Sequence, residues 1–230
     1  INQKIYTYDV LVSYGIFNKE INNLKISKNL FILSIKKYPS KIKPYILLAE
    51  ILRNENKIEN ALKTLNEAKK VDEFNSDIDY NLSITYKAIK SFNDAIRFID
   101  SAIKLQPKNQ IYKILKADIL VESFQNERAQ ALLLNLKLPN DSLLFFQREI
   151  LISKLFINQK KYILAEKVLL ELRKNFKKES ILYLIFSDLY FKNKELEKGI
   201  SILKEGINIF PNFIPLRFNL AIMYRNLGLL

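Results

Sequence analysis

The sequence predicts an all-α solenoid of antiparallel helix pairs, about six repeats followed by one terminal helix. Three observations predict it. The first is the stretch Ser76–Gln110, where two amphipathic patterns lie back to back. Ile78, Leu82, Ile84 and Tyr86 mark one, and Phe92, Ala95, Ile96, Ile99, Ala102, Ile103 and Leu105 mark the other, with apolar residues three and four apart. Pro107 ends the second, because proline cannot continue a helix. The second observation is a fixed period. Small residues recur 34 positions on either side of Ala95, at Ala61 and Ala129, and on either side of Ser83, at Ala49 and Ala117. The third is the glycines. All four, Gly15, Gly199, Gly206 and Gly228, fall in this register. Small residues let paired helices approach closely, and no glycine is left over for a phosphate-binding loop.

Each element follows from the same register. The first repeat covers roughly 8–41, with Leu11, Tyr14 and Gly15 on its first helix (helix A) and Leu24, Ser27, Leu30, Phe31 and Ile35 on its second (helix B), stopped by Pro39. The second, 42–75, opens with Pro44, tolerated in a first helical turn where its missing N–H has no partner to lose. Tyr45, Leu48, Ala49 and Leu52 face Ala61, Leu62, Leu65 and Ala68. The third is 76–109. The fourth, 110–145, is the least regular: Lys116 and Asn126 stand where other repeats have apolar residues, although Leu132, Leu133 and Leu134 keep its second helix hydrophobic. One step of the period lengthens to 36 between Ala129 and Ala165. Pro139-Asn140-Asp141-Ser142 in that step reads as a longer turn, with Asp141 or Ser142 capping the next helix. Repeats at 146–179 and 180–213 follow, then a half repeat at 214–230 whose helix A lacks a helix B. The whole chain reads as one continuous repeat domain.

The series resembles the tetratricopeptide repeat family. Numbering each repeat from its first residue, position 8 is Gly15, Ala49, Ser83, Ala117, Ser153, Ser187 and Ala221. Position 20 is Ser27, Ala61, Ala95, Ala129, Ala165 and Gly199; position 17 is Leu24, Ile58, Phe92, Asn126, Tyr162 and Leu196; Pro39, Pro107 and Pro211 occupy position 32. The resemblance covers nearly the whole chain and implies a right-handed superhelix whose A helices line a concave groove. It also implies a protein–protein interaction scaffold without catalytic activity.

Composition excludes much else. There are no cysteines and no histidines, so disulfides, thiolate metal sites and the commonest general base are absent. No metal site and no cofactor are expected. Asp77 with Asp79 and Glu195 with Glu197 are two residues apart and do not share a helix face; they read as solvated first-turn charges that favour a helix N-terminus. Net charge is +13, in a chain rich in lysine, isoleucine and asparagine. It comes in two separate lots, with residues 1–41 and 146–179 each at net +5 and the rest close to neutral. No run of about 18 apolar residues is present to cross a membrane. Localisation stays open: cytoplasmic is favoured, and periplasmic or membrane-anchored follows if a leader preceding Ile1 has been removed.

The resemblance places a partner groove on the A helices, at Lys19, Ile46, Glu50, Arg53, Tyr80, Ile84, Lys87, Ile114, Asp118, Val121, Ile150, Lys154, Ile157, Leu184, Asp188 and Phe191. The same positions of the last helix are Phe218, Ile222 and Arg225. Position 5 runs apolar from Val12 through Ile46 to Leu184, and position 12 is basic at Lys19, Arg53 and Lys87, then apolar at Val121, Ile157 and Phe191. That pattern suits an extended or helical protein segment carrying both apolar and acidic residues. The Lys and Asn of a chaperone-tail clamp are missing, since Val12 with Ile16, Ile46 with Glu50 and Tyr80 with Ile84 stand in their places. The alternative is a helical repeat that binds RNA or an anionic membrane surface through the two basic regions. A base-reading RNA repeat fits poorly with Val12, Ile46, Ile114 and Ile150 in the groove. The uncovered last helix is expected to continue into further chain in a longer parent protein, or else to pack on a partner or a second copy.

Overall fold

A computed structural model describes residues 7–228. Among the described residues there are thirteen helices and no strand. The first helices of the repeats are α1 (Tyr8–Glu20), α3 (Lys43–Asn54), α5 (Ser76–Ala88), α7 (Gln110–Glu122), α9 (Leu143–Asn158), α11 (Ser180–Lys192) and α13 (Ile214–Asn226). Between them run α2 (Leu24–Lys37), α4 (Ile58–Val71), α6 (Phe92–Leu105), α8 (Asn126–Leu134), α10 (Tyr162–Asn175) and α12 (Leu196–Ile209). The architecture is an all-α helical repeat solenoid of six helix pairs and one further helix. The described chain divides between Tyr112 and Lys113 into two compact units.

In the first unit α1 packs on α2, α3 on α4 and α5 on α6, and each pair packs on the next. Small residues make the close approach possible. Ala49 and Ala61 are fully buried, with Tyr45, Leu65, Ala68, Ile78 and Leu82 around them. Two serines of this unit also bond across their pairs: the Ser27 hydroxyl donates to the Gly15 carbonyl and the Ser83 hydroxyl to the Ala95 carbonyl, both at 2.8 Å. A Cβ on Gly15 would run into the ring of Phe31, which is fully buried.

In the second unit α9 packs on α10 and α11 on α12, while α9, α11 and α13 also lie side by side. Tyr183, Phe186, Leu203 and Leu216 sit at the core. A Cβ on Gly206 would come within 2.9 Å of the Tyr183 ring. Tyr183 and Tyr45 hold the same repeat position, and each hydroxyl donates to the carbonyl six residues before it, Lys177 at 3.2 Å and Pro39 at 3.1 Å.

Every turn inside a repeat uses one left-handed residue: Asn22, Asn56, Lys90, Phe124, Lys160 and Lys194, with φ between 57° and 62°. In the turn after α5, the Lys90 amide bonds the Lys87 carbonyl at 2.9 Å and the Ser91 amide bonds the Tyr86 carbonyl at 3.0 Å. This pair of bonds closes a helix C-terminus and starts the next helix two residues on.

The fourth repeat departs from the others. Helix α8 has 9 residues where α2, α4, α6, α10 and α12 each have 14. The chain leaves it at Asn135 and runs without regular structure past the buried Leu136 to Pro139. Of the two expected caps, Ser142 acts: its hydroxyl oxygen accepts from the Phe145 amide at 3.1 Å. The Arg148 guanidinium donates to the Leu136 carbonyl at 2.7 Å and ties the link to α9.

One sequence expectation is corrected. Asp77 is exposed, but Asp79 is fully buried rather than solvated. Its carboxylate takes the Lys69 ammonium at 2.5 Å and the Ser101 hydroxyl at 2.6 Å. It occupies the position that Tyr45 and Tyr183 fill elsewhere, so it faces the preceding helix, not water.

Candidate partner-binding faces

The first unit presents Lys19 on α1, Ile46, Glu50 and Arg53 on α3, and Tyr80, Ile84 and Lys87 on α5, all partly exposed. Charges link successive helices across this face. Lys19 Nζ lies 2.7 Å from Glu50 Oε2, and Arg53 Nη1 donates to Thr85 Oγ1 at 3.2 Å. Burial pushes the Arg53 guanidinium below its usual range, opposed by the nearby Glu50 and Tyr80. The position 12 row is therefore a set of braced cations, not a free basic strip.

Tyr80 stacks on Tyr112, with ring centroids 5.1 Å apart. The Tyr112 hydroxyl donates to Asp77 Oδ1 at 2.7 Å and lies 3.2 Å from Ser76 Oγ. Burial, with the Asp77 carboxylate beside it, pushes Tyr112 up to about 12. Neither Tyr112 nor Thr85 is marked by the repeat register as part of the face. Only the contacts show that they fix Tyr80 and Arg53.

In the second unit the chosen residues divide. Ile114, Val121, Ile150 and Ile157 are buried, at 2–7% exposure, and pack the core. Asp118, Lys154, Leu184 and Asp188 are partly exposed, and Phe191 is exposed. Lys154 Nζ is 4.0 Å from Asp118 Oδ1, and Lys192 Nζ is 3.1 Å from Asp188 Oδ2. The surface between α11 and α13 has relief. Ser187, Asp188, Phe191, Asn219, Ile222 and Met223 line a pocket of about 180 Å³. On α13 itself Phe218, Ala221, Ile222 and Arg225 line a second of about 330 Å³ that shares Ile222. Phe218 is 65% exposed. Asn219, which the register does not mark, donates to Ser187 Oγ at 3.1 Å and sets the spacing of the two helices.

Among the described residues no three acidic side chains converge to hold a metal ion, and no helix is long and apolar enough to cross a membrane. Surfaces of half-exposed apolar residues between braced charges are what an α-helical repeat protein offers a partner. Residues 42–75 match the tetratricopeptide repeat family model, and solved structures of tetratricopeptide repeat proteins share the fold of the chain. A tetratricopeptide repeat protein from Parabacteroides merdae is 15% identical, with TM-score 0.66 over 94% of this chain and 98% of that one. PilW, a type IV pilus biogenesis factor, is 12% identical, with TM-score 0.73 over 95% and 99%. YrrB, described as having an unusual peptide-binding site, is 17% identical, with TM-score 0.53 over 82% and 96%. No curated protein matches the sequence.

Proposed function

We propose that the chain is a non-catalytic scaffold that receives a segment of another protein on the face of its A helices. One observation supports the reading: a pocket between α11 and α13, lined by Asp188 and Phe191, beside a second on α13 itself that carries the exposed Phe218. A volume of about 180 Å³ accommodates one large apolar side chain. Arg225 on the rim of the second pocket supplies a cation for an acidic residue of the same segment. Recognition is then by an apolar anchor with a carboxylate beside it, in extended or helical form. The peptide-binding site named for YrrB supports the reading as a precedent within the fold.

In the first unit Ile46, Tyr80 and Ile84 offer a matching apolar strip between Lys19–Glu50 and Arg53. The test is selection of a random peptide library displayed on phage. The wild type enriches sequences pairing an aromatic or aliphatic residue with Asp or Glu, and Phe191→Asp/Phe218→Asp fails to bind them. Enrichment of the same peptides by the variant, or none by the wild type, overturns the proposal. Ile114 and Ile150 are unsuitable for this test, because a charge there would enter the core.

A further inference from the structure

Helix α10 is apolar on two sides. Ala165, Leu169 and Leu172 face the core, with none above 3% exposed. On the opposite side Ile163 is 83% exposed, the highest value of any large apolar side chain described, and Leu164 and Leu170 are exposed as well. Spacings of four and seven residues put Ile163, Lys167, Leu170 and Lys174 on one stripe along the helix. Lys174 pairs with Glu171 at 2.6 Å, while Lys167 has no ion-pair partner among the described residues. The same holds for Lys160 and Lys161 just before the helix and for Lys177 and Lys178 just after it.

We propose that this ridge is a docking surface for an anionic lipid membrane. Exposed aliphatic residues between flanking lysines are the pattern of a helix that lies in the interfacial plane, with apolar side chains reaching the acyl boundary and ammonium groups at the headgroups. The outer side of a helix is convex, which suits a flat, deformable surface. The apolar residues also discriminate against nucleic acid, whose phosphates would engage the lysines and leave Ile163 and Leu170 in water. A scaffold held this way would keep its A-helix faces free, since the ridge belongs to a B helix.

The test is co-sedimentation of the full chain with vesicles of pure phosphatidylcholine and of equimolar phosphatidylcholine and phosphatidylglycerol. The anionic vesicles bind at least about tenfold more tightly, and added salt weakens that binding. Ile163→Asn/Leu170→Asn and, separately, Lys160→Gln/Lys161→Gln/Lys167→Gln each lower it by about tenfold or more. Because all five side chains are exposed, the thermal melts of both variants match the wild type. Equal binding to both vesicle types, no binding to either, or variants that bind like the wild type would each overturn the proposal. Absence of vesicle binding with the fold intact would leave the ridge to an acidic protein helix.

Discussion

The Ser83 hydroxyl on α5 donates to the Ala95 carbonyl on α6 at 2.8 Å, at the point where the two helices approach most closely in sequence register. The bond and the small size are separable. Ser83→Ala keeps the approach and loses the bond, and costs about 1 kcal/mol. Ser83→Leu must push the helices apart and costs about 1–3 kcal/mol. Urea denaturation of the two variants, with Ala49→Leu as a parallel case, measures both.

Asp79 tests the buried ion pair. Asp79→Ala leaves the Ser101 hydroxyl without its acceptor and Lys69 with only the Glu73 carbonyl, at 2.8 Å. Breaking a buried pair costs about 3–5 kcal/mol, and a lysine with a quarter of its side chain in water brings this towards about 3 kcal/mol. Asp77→Ala, on the exposed neighbour, loses the Tyr112 bond and a first-turn charge and costs less. A denaturation series that ranks the two the other way would contradict the assignment.

Tyr112 gives the first unit a dependence on high pH. Its folded-state pKa, pushed up to about 12, lies above the value near 10 of an unfolded chain. The protonated hydroxyl therefore contributes fully below about pH 10, and the contribution is lost as pH rises towards 12. Tyr112→Phe should lower stability by about 1–2 kcal/mol at neutral pH and flatten the fall between pH 10 and 12. Thermal melts across that window, wild type beside variant, check the sign.

Phe124 is held at φ 57° and is 70% exposed. A left-handed conformation costs a non-glycine residue about 1–2 kcal/mol, and asparagine and glycine bear it best. Phe124→Gly should raise stability by up to about 1 kcal/mol, and the β-branched Phe124→Val should lower it by a similar amount. Differential scanning calorimetry resolves both shifts.

Asn126 stands at position 17, where Leu24, Ile58, Phe92, Tyr162 and Leu196 pack in other repeats. Its buried Oδ1 has no hydrogen-bond partner. An unsatisfied buried acceptor costs about 1–3 kcal/mol, so Asn126→Leu should stabilise the second unit by about 1–2 kcal/mol. A lower melting temperature in the variant would show that Asn126 is bonded in solution.

Helix order and pairing were legible because one interaction repeats: a small residue at Ala49 must meet another at Ala61, and the spacing recurs down the chain. The left-handed turns were not. Asn22, Lys90 and Phe124 share no chemistry, and only the bonds closing each helix reveal the common conformation. Asp79 was misread because its burial depends on Lys69, a partner in the preceding repeat that helix periodicity does not connect to it. For the candidate faces, the register chose Arg53, Tyr80, Asp188 and Phe191 but could not separate partly exposed Ile46 from buried Ile114 or Ile150. All three hold the same repeat position, so periodicity assigns them one face although their exposures differ.

Photo-cross-linking in cells that make the protein, from benzoylphenylalanine placed at Phe218, tests the proposed reception of a protein segment on the α11/α13 face. A discrete protein adduct forms from Phe218 and disappears in the Phe191→Asp background, and no such adduct forms from the same probe at the exposed Ile209 on α12. The same adducts from both sites, or none from Phe218, would contradict it.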